Sequence, residues 1–182
     1  EIPIQTLPSG PNYPTENHQR MVLALLHAAE KDVTITTPYF IPDEAILQAV
    51  QIAVLRRVEV TLILPEVSDQ LIVGTAAKAY YSILLEIGAK IYLYQPGLLH
   101  AKTITIDSRI SMIGSSNFDI RSFELNFELT MMLYGEQITS RLRNLQNQYL
   151  SQSRQLTLTE WNERPYRSRL AQNIMRLFSP LL

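Results

Sequence analysis

The sequence predicts an α/β fold, a three-layer α/β/α sandwich built on a mixed, largely parallel sheet. Short β-branched runs such as V-T-I-T-T and V-E-V-T-L-I-L-P alternate with longer helical runs such as A-I-L-Q-A-V-Q-I-A-V-L. A short D-S-R turn between two later strands predicts an antiparallel part of the sheet. With 182 residues, 46% hydrophobic and 18% charged, the chain can bury one core of ordinary composition.

The opening of the chain is rich in proline. Residues 1–14 are therefore predicted to be an extended lead-in, followed by a single domain over residues 15–182. Thr15 is predicted to cap a first helix that continues to about Lys31, because a threonine side chain can accept hydrogen bonds from the first free N–H groups.

The later helices have recognisable start and stop signals. Residues 42–44, Pro-Asp-Glu, open a second helix, because proline and acidic side chains favour the N-terminal end. A third helix is predicted over about 68–87, with Gly88 as its stop. A polar helix follows over 136 to about 155. A basic amphipathic tail helix, about 166–179, is expected to pack on the domain or on a membrane.

The richest chemistry lies in the run H-A-K-T-I-T-I-D, where His100 and Lys102 stand two residues apart. Alternate side chains of a strand share a face, so an imidazole and an ammonium are predicted to lie side by side. Lys102 would also share the apolar face of Ile104 and Ile106, where a cation needs an anion beside it. An imidazole that attacks phosphorus or protonates a leaving oxygen, beside a fixed cation, suits phosphoryl transfer.

A small-residue loop follows the next predicted strand. Ser115, Ser116 and Asn117 come directly after Gly114, so their side chains and backbone N–H groups can turn toward a phosphate. Asn117 adds neutral hydrogen-bond donors to the same oxygens. Asp107 begins the D-S-R turn and is interpreted as mainly structural, because aspartate is common at turns for local hydrogen-bonding reasons.

Downstream, one interpretation of Glu128 is that it accepts a hydrogen bond from Nδ1 of His100 and so orients that ring. The alternative interpretation is a solvated strand carboxylate. Arg121 either anchors its loop or meets a lipid phosphate. The two other histidines, His18 and His27, are interpreted as structural residues.

The spacing H-x-K-x4-D-x6-G-S-x-N resembles the signature of the phospholipase D superfamily. Further runs, T-T-P-Y-F-I-P-D-E, G-L-L-H-A-K and N-F-D-I-R-S-F-E-L-N-F-E, make nearly the whole chain similar to the C-terminal half of a bacterial cardiolipin synthase. The resemblance implies a phospholipase D-like half, in which His100, Lys102 and Asn117 are catalytic, and Asp107 and Glu128 support them. Lys102, Ser115, Ser116, Asn117 and Arg121 are the expected phosphate-binding residues.

The resemblance also implies a reaction in which two phosphatidylglycerols give cardiolipin through a phosphohistidine. Because that superfamily builds one site from two motifs and this chain has one, a second motif is expected from a missing N-terminal half or from a homodimer mate. No cofactor and no metal are expected. Two alternatives remain, namely a homodimeric phosphodiesterase or nuclease, and an inactive membrane-binding or regulatory module.

Charge and hydropathy limit the partners. The net charge of −1 argues against nucleic acid as a partner, although from Glu136 onward seven arginines face three glutamates. No apolar run is long enough to span a bilayer. Any membrane contact of this chain is therefore expected to be peripheral. The resemblance implies the cell membrane of a bacterium as the location, with this portion on the cytoplasmic side.

Overall fold

The structure is a computed structural model that describes residues 1–165 and Arg167. An eight-stranded mixed sheet forms the centre of the described part. Its strands, in chain order, are β1 (Ile4–Ser9), β2 (Asp32–Thr36), β3 (Glu59–Pro65), β4 (Lys90–Tyr94), β5 (Thr103–Ile106), β6 (Ile110–Gly114), β7 (Glu128–Tyr134) and β8 (Ser153–Leu156). They lie in the order β1-β7-β6-β5-β2-β3-β4-β8 across the sheet.

Helices cover both faces, so the described part has the predicted three layers. They are α1 (Asn17–Ala28), α2 (Glu44–Leu55), α3 (Leu71–Ala79), α4 (Tyr81–Ile87), α5 (Glu136–Ser151) and α6 (Leu158–Asn162), with a short π-helical turn at Arg121–Leu125. Helices α1, α2 and α4 pack together on one face, α6 packs on α4, and α5 crosses the other face. The α/β class and the mixed sheet are thus confirmed.

The two faces of the sheet differ in chemistry. Under α1 and α2 the central strands present aliphatic side chains, among them Val33 and Ile35 of β2 paired with Ile106 and Ile104 of β5. All four side chains are almost fully buried. Burial of apolar area of this kind is the main favourable contribution to folding.

Under α5 the same strands present hydroxyls instead. Gln146 of α5 is fully buried, accepts a hydrogen bond from Oγ1 of Thr105 at 2.6 Å and donates to the backbone oxygen of Thr34 at 3.1 Å. Its amide also donates to Thr103 Oγ1 at 3.2 Å. Because these buried polar groups hydrogen-bond one another, burying them carries little penalty.

Several details differ from the sequence-based expectations. Five of the seven neighbouring strand pairs in the described sheet are antiparallel, so the sheet is less parallel than predicted. The lead-in 1–14 contains β1, which pairs with β7 and belongs to the sheet. The predicted third helix is interrupted at Tyr80 and forms two helices, α3 and α4. The polar helix ends at Ser151, earlier than predicted, and is followed by β8, an edge strand that pairs with β4.

Helix starts also show one error. Thr15 does not cap α1, because its hydroxyl donates to Asn17 Oδ1 at 2.6 Å and the helix begins after Glu16 without a side-chain cap. Asp43, by contrast, caps α2 as the acidic start signal predicted, accepting from the N–H of Ile46 at 2.8 Å. The tail helix predicted over about 166–179 lies outside the described residues, Arg167 excepted.

Candidate active site

Four loops meet at one end of the sheet, where β2, β3, β4 and β6 finish and where β5 and β7 begin. They comprise residues 37–43, 66–70, 95–102 and 115–127. This end, called the site end below, collects almost every residue that the sequence proposed for chemistry. Grouping at strand ends is expected, because loops there can carry polar groups while the strands hold them in place.

His100 and Lys102 lie together at the site end. The Lys102 ammonium is 3.1 Å from His100 Nδ1 and 3.4 Å from Nε2, and it donates to the His100 backbone oxygen at 3.0 Å. The predicted proximity is therefore present, although both residues lie in the loop before β5 and not on the strand itself. His100 is exposed and Lys102 is half-buried, so the pair is open to a ligand on the imidazole side.

The environment of Lys102 is partly apolar and partly acidic. Burial lowers the pKa of Lys102 below its ordinary value. Three carboxylates oppose that shift through their charge, namely Glu128, Asp69 and Asp119. The ammonium is thus partly desolvated, which strengthens its attraction for a phosphate, while the three carboxylates favour its charged form.

The Gly114 loop is fastened to β7. Ser115 donates its N–H to the Leu129 oxygen at 3.1 Å, and its hydroxyl accepts from the Leu129 N–H at 3.0 Å. A Cβ on Gly114 would stand 2.5 Å from the Leu129 oxygen and 2.7 Å from Thr130 Oγ1, so only glycine fits. Ser115 is exposed at the site end. Ser116 is buried and its hydroxyl donates to the Asn117 backbone oxygen at 3.4 Å, so its contact with phosphate stays a prediction.

Asn117 is half-buried beside Asp119 at the site end. Its Oδ1 is buried and has no hydrogen-bond partner. Burial raises the pKa of Asp119 above its ordinary value, although the Ser122 N–H at 2.7 Å and the Asn117 side chain favour the charged form. Since a primary amide has two N–H groups, Asn117 can contact Asp119 and still donate to a substrate oxygen.

Glu128 lies near the pair but does not bind the histidine. No hydrogen bond joins it to His100 in the described structure. Its Oε1 accepts from the Asn126 amide at 3.5 Å, and its charge acts on Lys102. The prediction that Glu128 orients His100 through Nδ1 is therefore wrong in these contacts, because the Lys102 ammonium takes that position.

Asp107 lies at the opposite end of β5 from Lys102. Its carboxylate accepts N–H bonds from Glu30 at 2.8 Å, Lys31 at 2.7 Å and Asp32 at 3.0 Å. The structural interpretation fits this geometry. Asp107 joins the start of β2 to the end of β5 and contacts nothing at the site end. Any effect of Asp107 on catalysis therefore has to act through the fold.

A cavity of about 460 Å³ at the site end contains a contact that the sequence did not predict. Tyr39, Asn117 and Arg121 are among its lining residues. The Tyr39 hydroxyl donates to the Asp69 carboxylate, a hydrogen bond between two of the site-end loops. Burial and this carboxylate raise the pKa of the Tyr39 phenol. The available signal was the position of Tyr39 directly after Pro38 and of Asp69 four residues after Pro65, each in a loop that follows a strand.

The side chain of Arg121 is exposed at the edge of this cavity, at the start of the π-helical turn. Only its backbone oxygen has a hydrogen-bond partner in the hydrogen bonds of the described chain, the Asn126 N–H at 2.7 Å. Of the two predicted roles, the geometry leaves the guanidinium placed to meet a ligand.

The other two histidines match their structural interpretation. His18 is buried, lies 3.0 Å from Thr130 Oγ1 and stacks on Phe123 with ring centres 5.8 Å apart. Burial lowers the pKa of His18 to about 4, so the ring is neutral near pH 7. His27 is exposed near the end of α1, far from the site end.

The arrangement can bind and polarise a phosphodiester without a metal ion. The imidazole of His100 and the partly desolvated ammonium of Lys102 lie in contact, and the Asn117 amide and the exposed Arg121 guanidinium line the cavity at the same end of the sheet. Each of these groups can donate to anionic oxygens. Among residues 1–165 no group of three histidine or carboxylate side chains is placed to hold a metal ion. No helix in the same range is both long and apolar enough to cross a bilayer.

Comparison with known proteins supports this assignment. The chain is 39% identical over 178 residues to cardiolipin synthase A of Proteus mirabilis, and 40% identical over 179 residues to that of Pectobacterium atrosepticum. Both alignments cover 98% of this chain but 37% of the relative. The chain thus spans a little over a third of the length of these curated relatives.

Solved structures share the fold. A phospholipase D family member from Salmonella typhimurium, Nuc, superposes with a TM-score of 0.72 at 19% identity, covering 86% of this chain and 99% of that one. Phosphatidylserine synthase from Haemophilus influenzae gives a TM-score of 0.77 at 16% identity, covering 100% of this chain and 48% of that one. At these identities the likeness concerns the fold alone.

The family whose profile matches is described as cardiolipin synthase, PLD-like domain, and the match covers residues 22–150. The matched range includes His100 and Lys102, the Gly114 loop and β7. The chain therefore belongs to the cardiolipin synthase PLD-like domain family.

Proposed function

We propose that this chain supplies one of the two H-x-K motifs of a phosphatidyltransferase that makes cardiolipin from two phosphatidylglycerol molecules. The observation that carries the proposal is the contact of the His100 imidazole with the Lys102 ammonium, 3.1 Å apart, at the open end of the sheet. Family membership and the curated relatives support the reaction class, and the second motif is assigned to the polypeptide region that the longer relatives carry.

In the proposed first step one motif histidine attacks phosphorus of a phosphatidylglycerol, and a phosphorus–nitrogen bond forms as the phosphorus–oxygen bond to the leaving glycerol breaks. The other histidine donates a proton to that oxygen. In the second step this histidine removes a proton from a hydroxyl of the second phosphatidylglycerol. The resulting oxygen attacks phosphorus, and the phosphorus–nitrogen bond breaks.

We assign the acid and base role to His100 and the nucleophilic role to the other motif. Lys102 and Asn117 bind the non-bridging oxygens, whose charge is largest in the transition state. Ser115 and Arg121 contribute further hydrogen-bond donors at the edge of the site. The proposed location of the reaction is the cytoplasmic side of the membrane.

The test uses the extended protein, meaning this chain preceded by the additional region of its longer relatives. His100→Ala should lower cardiolipin formation from phosphatidylglycerol by at least about 10³-fold. Folding should be unchanged, because the His100 side chain is exposed. His27→Ala is the matched control and should retain full activity. Normal turnover by the His100 variant would remove His100 from the chemistry.

A second candidate is a homodimer that hydrolyses phosphodiesters of lipid or nucleic acid with two copies of His100. The similarity to Nuc favours it, because nearly all of that chain superposes on this single-motif fold. The two candidates differ in mass and in activity. A dimer that releases phosphate esters from lipid or DNA as the 182-residue chain alone would support the second candidate, whereas an inactive chain that gains activity in the extended protein supports the first.

The third possibility from the sequence is an inactive membrane-binding or regulatory module. It predicts vesicle binding by the 182-residue chain that depends on the residues from about 166 onward, and no phosphoryl transfer in either protein. Activity of the extended protein that depends on His100 would exclude it.

A further inference from the structure

The two ends of the sheet carry very different surfaces. Large apolar side chains stand exposed on three of the site-end loops and on the first turn of α3, with exposed fractions of 58–84%. We call this group the apolar rim, and it consists of Val67, Leu71, Ile72, Leu98, Leu125 and Phe127. The loops at the opposite end expose mostly charged residues, including Glu30, Arg57 and Arg109.

The rim belongs to the mouth of the site. Ile72 lines the same cavity as Arg121 and Asn117, and Leu98 lies two residues before His100. Leu125 and Phe127 flank Asn126, which also lines that cavity. An exposed apolar group of this extent is unusual on a soluble protein and marks a surface that contacts another apolar phase or a partner.

We propose that the apolar rim inserts into the surface of a phospholipid bilayer and so places the His100–Lys102 pair at the level of the phosphate groups. This inference rests on the proposed phospholipid chemistry and names the surface that delivers the substrate. Side chains that enter an interface penetrate about 5–10 Å, to the boundary of head groups and acyl chains. Phosphates then lie just above that depth, where the cations of the site stand.

Charge supports the lipid over an apolar partner protein. Arg121 is exposed and lines the cavity together with Asn117 and Asn126, and Lys102 is half-buried at the same end of the sheet. Cations set within an apolar rim match the order of groups in a bilayer, with anionic phosphates above acyl chains. Of the nearby carboxylates, Asp69 accepts from Tyr39, Asp119 accepts from the Ser122 N–H and Glu128 accepts from the Asn126 amide, whereas Glu124 is exposed.

The experiment measures co-flotation of the 182-residue chain with vesicles of phosphatidylglycerol and phosphatidylethanolamine. Two double variants, Leu71→Ser with Ile72→Ser and Leu98→Ser with Phe127→Ser, should each weaken binding by about tenfold, because two aliphatic or aromatic groups leave the interface. Leu55→Ser is the matched control, since Leu55 is 75% exposed at the opposite end of the sheet, and it should bind as the parent chain does.

Further measurements separate the contribution of the rim from effects on folding, on the C-terminal tail and on catalysis. Thermal unfolding should be unchanged in all variants, because the substituted side chains are exposed. A chain cut after residue 165 should still lose binding when the rim is substituted. His100→Ala should bind vesicles normally even though it removes the proposed chemistry, so failure of the reaction and failure of the rim are distinguishable.

Two results would overturn the inference. One is vesicle binding by both rim variants that equals the binding of Leu55→Ser. The other is a change in oligomeric mass in the rim variants with no change in vesicle binding, which would make the rim an interface between polypeptides.

Discussion

Strand β5 connects two ends of the sheet that use polar side chains in opposite ways. At the Asp107 end, both carboxylate oxygens are occupied by N–H groups of residues 30–32. At the site end, His100 and Ser115 are exposed. The fold therefore occupies the hydrogen bonds of Asp107, whereas the imidazole of His100 in the same run of sequence stays accessible to a ligand.

Removing charge from the site end should have the largest effect on activity. In the extended protein, Lys102→Met should lower turnover of phosphatidylglycerol by about 10³-fold, because no other ammonium neutralises the non-bridging oxygens at this motif. Stability should change little, since Lys102 is only half-buried and the methionine keeps its apolar stem. Lys90→Met at the edge of β4 is the control and should remain active. A fully active Lys102→Met would show that the pair does not bind phosphate.

Removing the carboxylate at the other end should change stability and leave chemistry intact. Asp107→Ala should lower the free energy of unfolding by about 2–3 kcal/mol, because three backbone N–H groups lose a charged acceptor and alanine disfavours the positive φ of 50°. Urea unfolding measures this change, and kcat of the folded variant should stay within about twofold of the parent value. A large loss of kcat at full stability would place Asp107 in the mechanism.

The same residue gives a pH dependence. Burial alone would raise the pKa of Asp107, but the N–H bonds from residues 30–32 and the Arg109 charge hold it below its ordinary value. A carboxyl whose folded pKa is depressed adds stability above its unfolded pKa, near 4, and loses that contribution as pH falls through the folded pKa. The stability difference between the parent and Asp107→Asn should therefore shrink below about pH 4. A difference that grows on acidification would contradict this account.

Substitution of Gly114 should affect both stability and activity, because Gly114 ends β6 and begins the loop that carries Asn117. Gly114→Ala should cost about 2 kcal/mol of stability, since the added Cβ meets the Leu129 oxygen and Thr130. It should also lower kcat by moving Asn117. Gly97→Ala serves as a comparison for backbone strain without a steric contact, because nothing lies within 4 Å of its Cβ position but its φ of 139° disfavours alanine. Unchanged stability and kcat of Gly114→Ala would mean that the close contact at Gly114 has no consequence.

Glu128→Gln should have the smallest effect, about a tenfold loss of rate. Because a negative charge that raises the pKa of Lys102 is removed, that pKa should fall further and the alkaline limb of the pH–rate profile should move to lower pH. Glu124→Gln, which replaces an exposed carboxylate, is the control. An unchanged rate and profile would make Glu128 a surface carboxylate without a role.

Local patterns in the sequence predicted most of this molecule. The proximity of His100 and Lys102 follows from a spacing of two residues, and the structural role of Asp107 follows from its turn. The alternation in T-I-T-I correctly separated Thr103 and Thr105, which bond Gln146, from the aliphatic Ile104 and Ile106. Such features depend on neighbours in the chain and on the period of a strand.

Contacts between distant segments were not predicted. The sheet position of β1 depends on pairing with β7, about 120 residues away, and proline-rich composition concealed it. The Tyr39–Asp69 bond joins two loops, and the preference of Lys102 for His100 displaced the expected Glu128 bond. The burial of Ser116 was not predicted either, because loop composition does not reveal which side chains turn inward.

The most direct test of the division between the two ends is an NMR titration of the 182-residue chain with inorganic phosphate, observing the imidazole signals of its three histidines. The signals of His100 should move in a saturable way and should stop responding in Lys102→Met, whereas those of His18 and His27 should stay in place. Phosphate binding that leaves His100 unmoved, or that persists unchanged without Lys102, would contradict the assignment of the site end to phosphoryl chemistry.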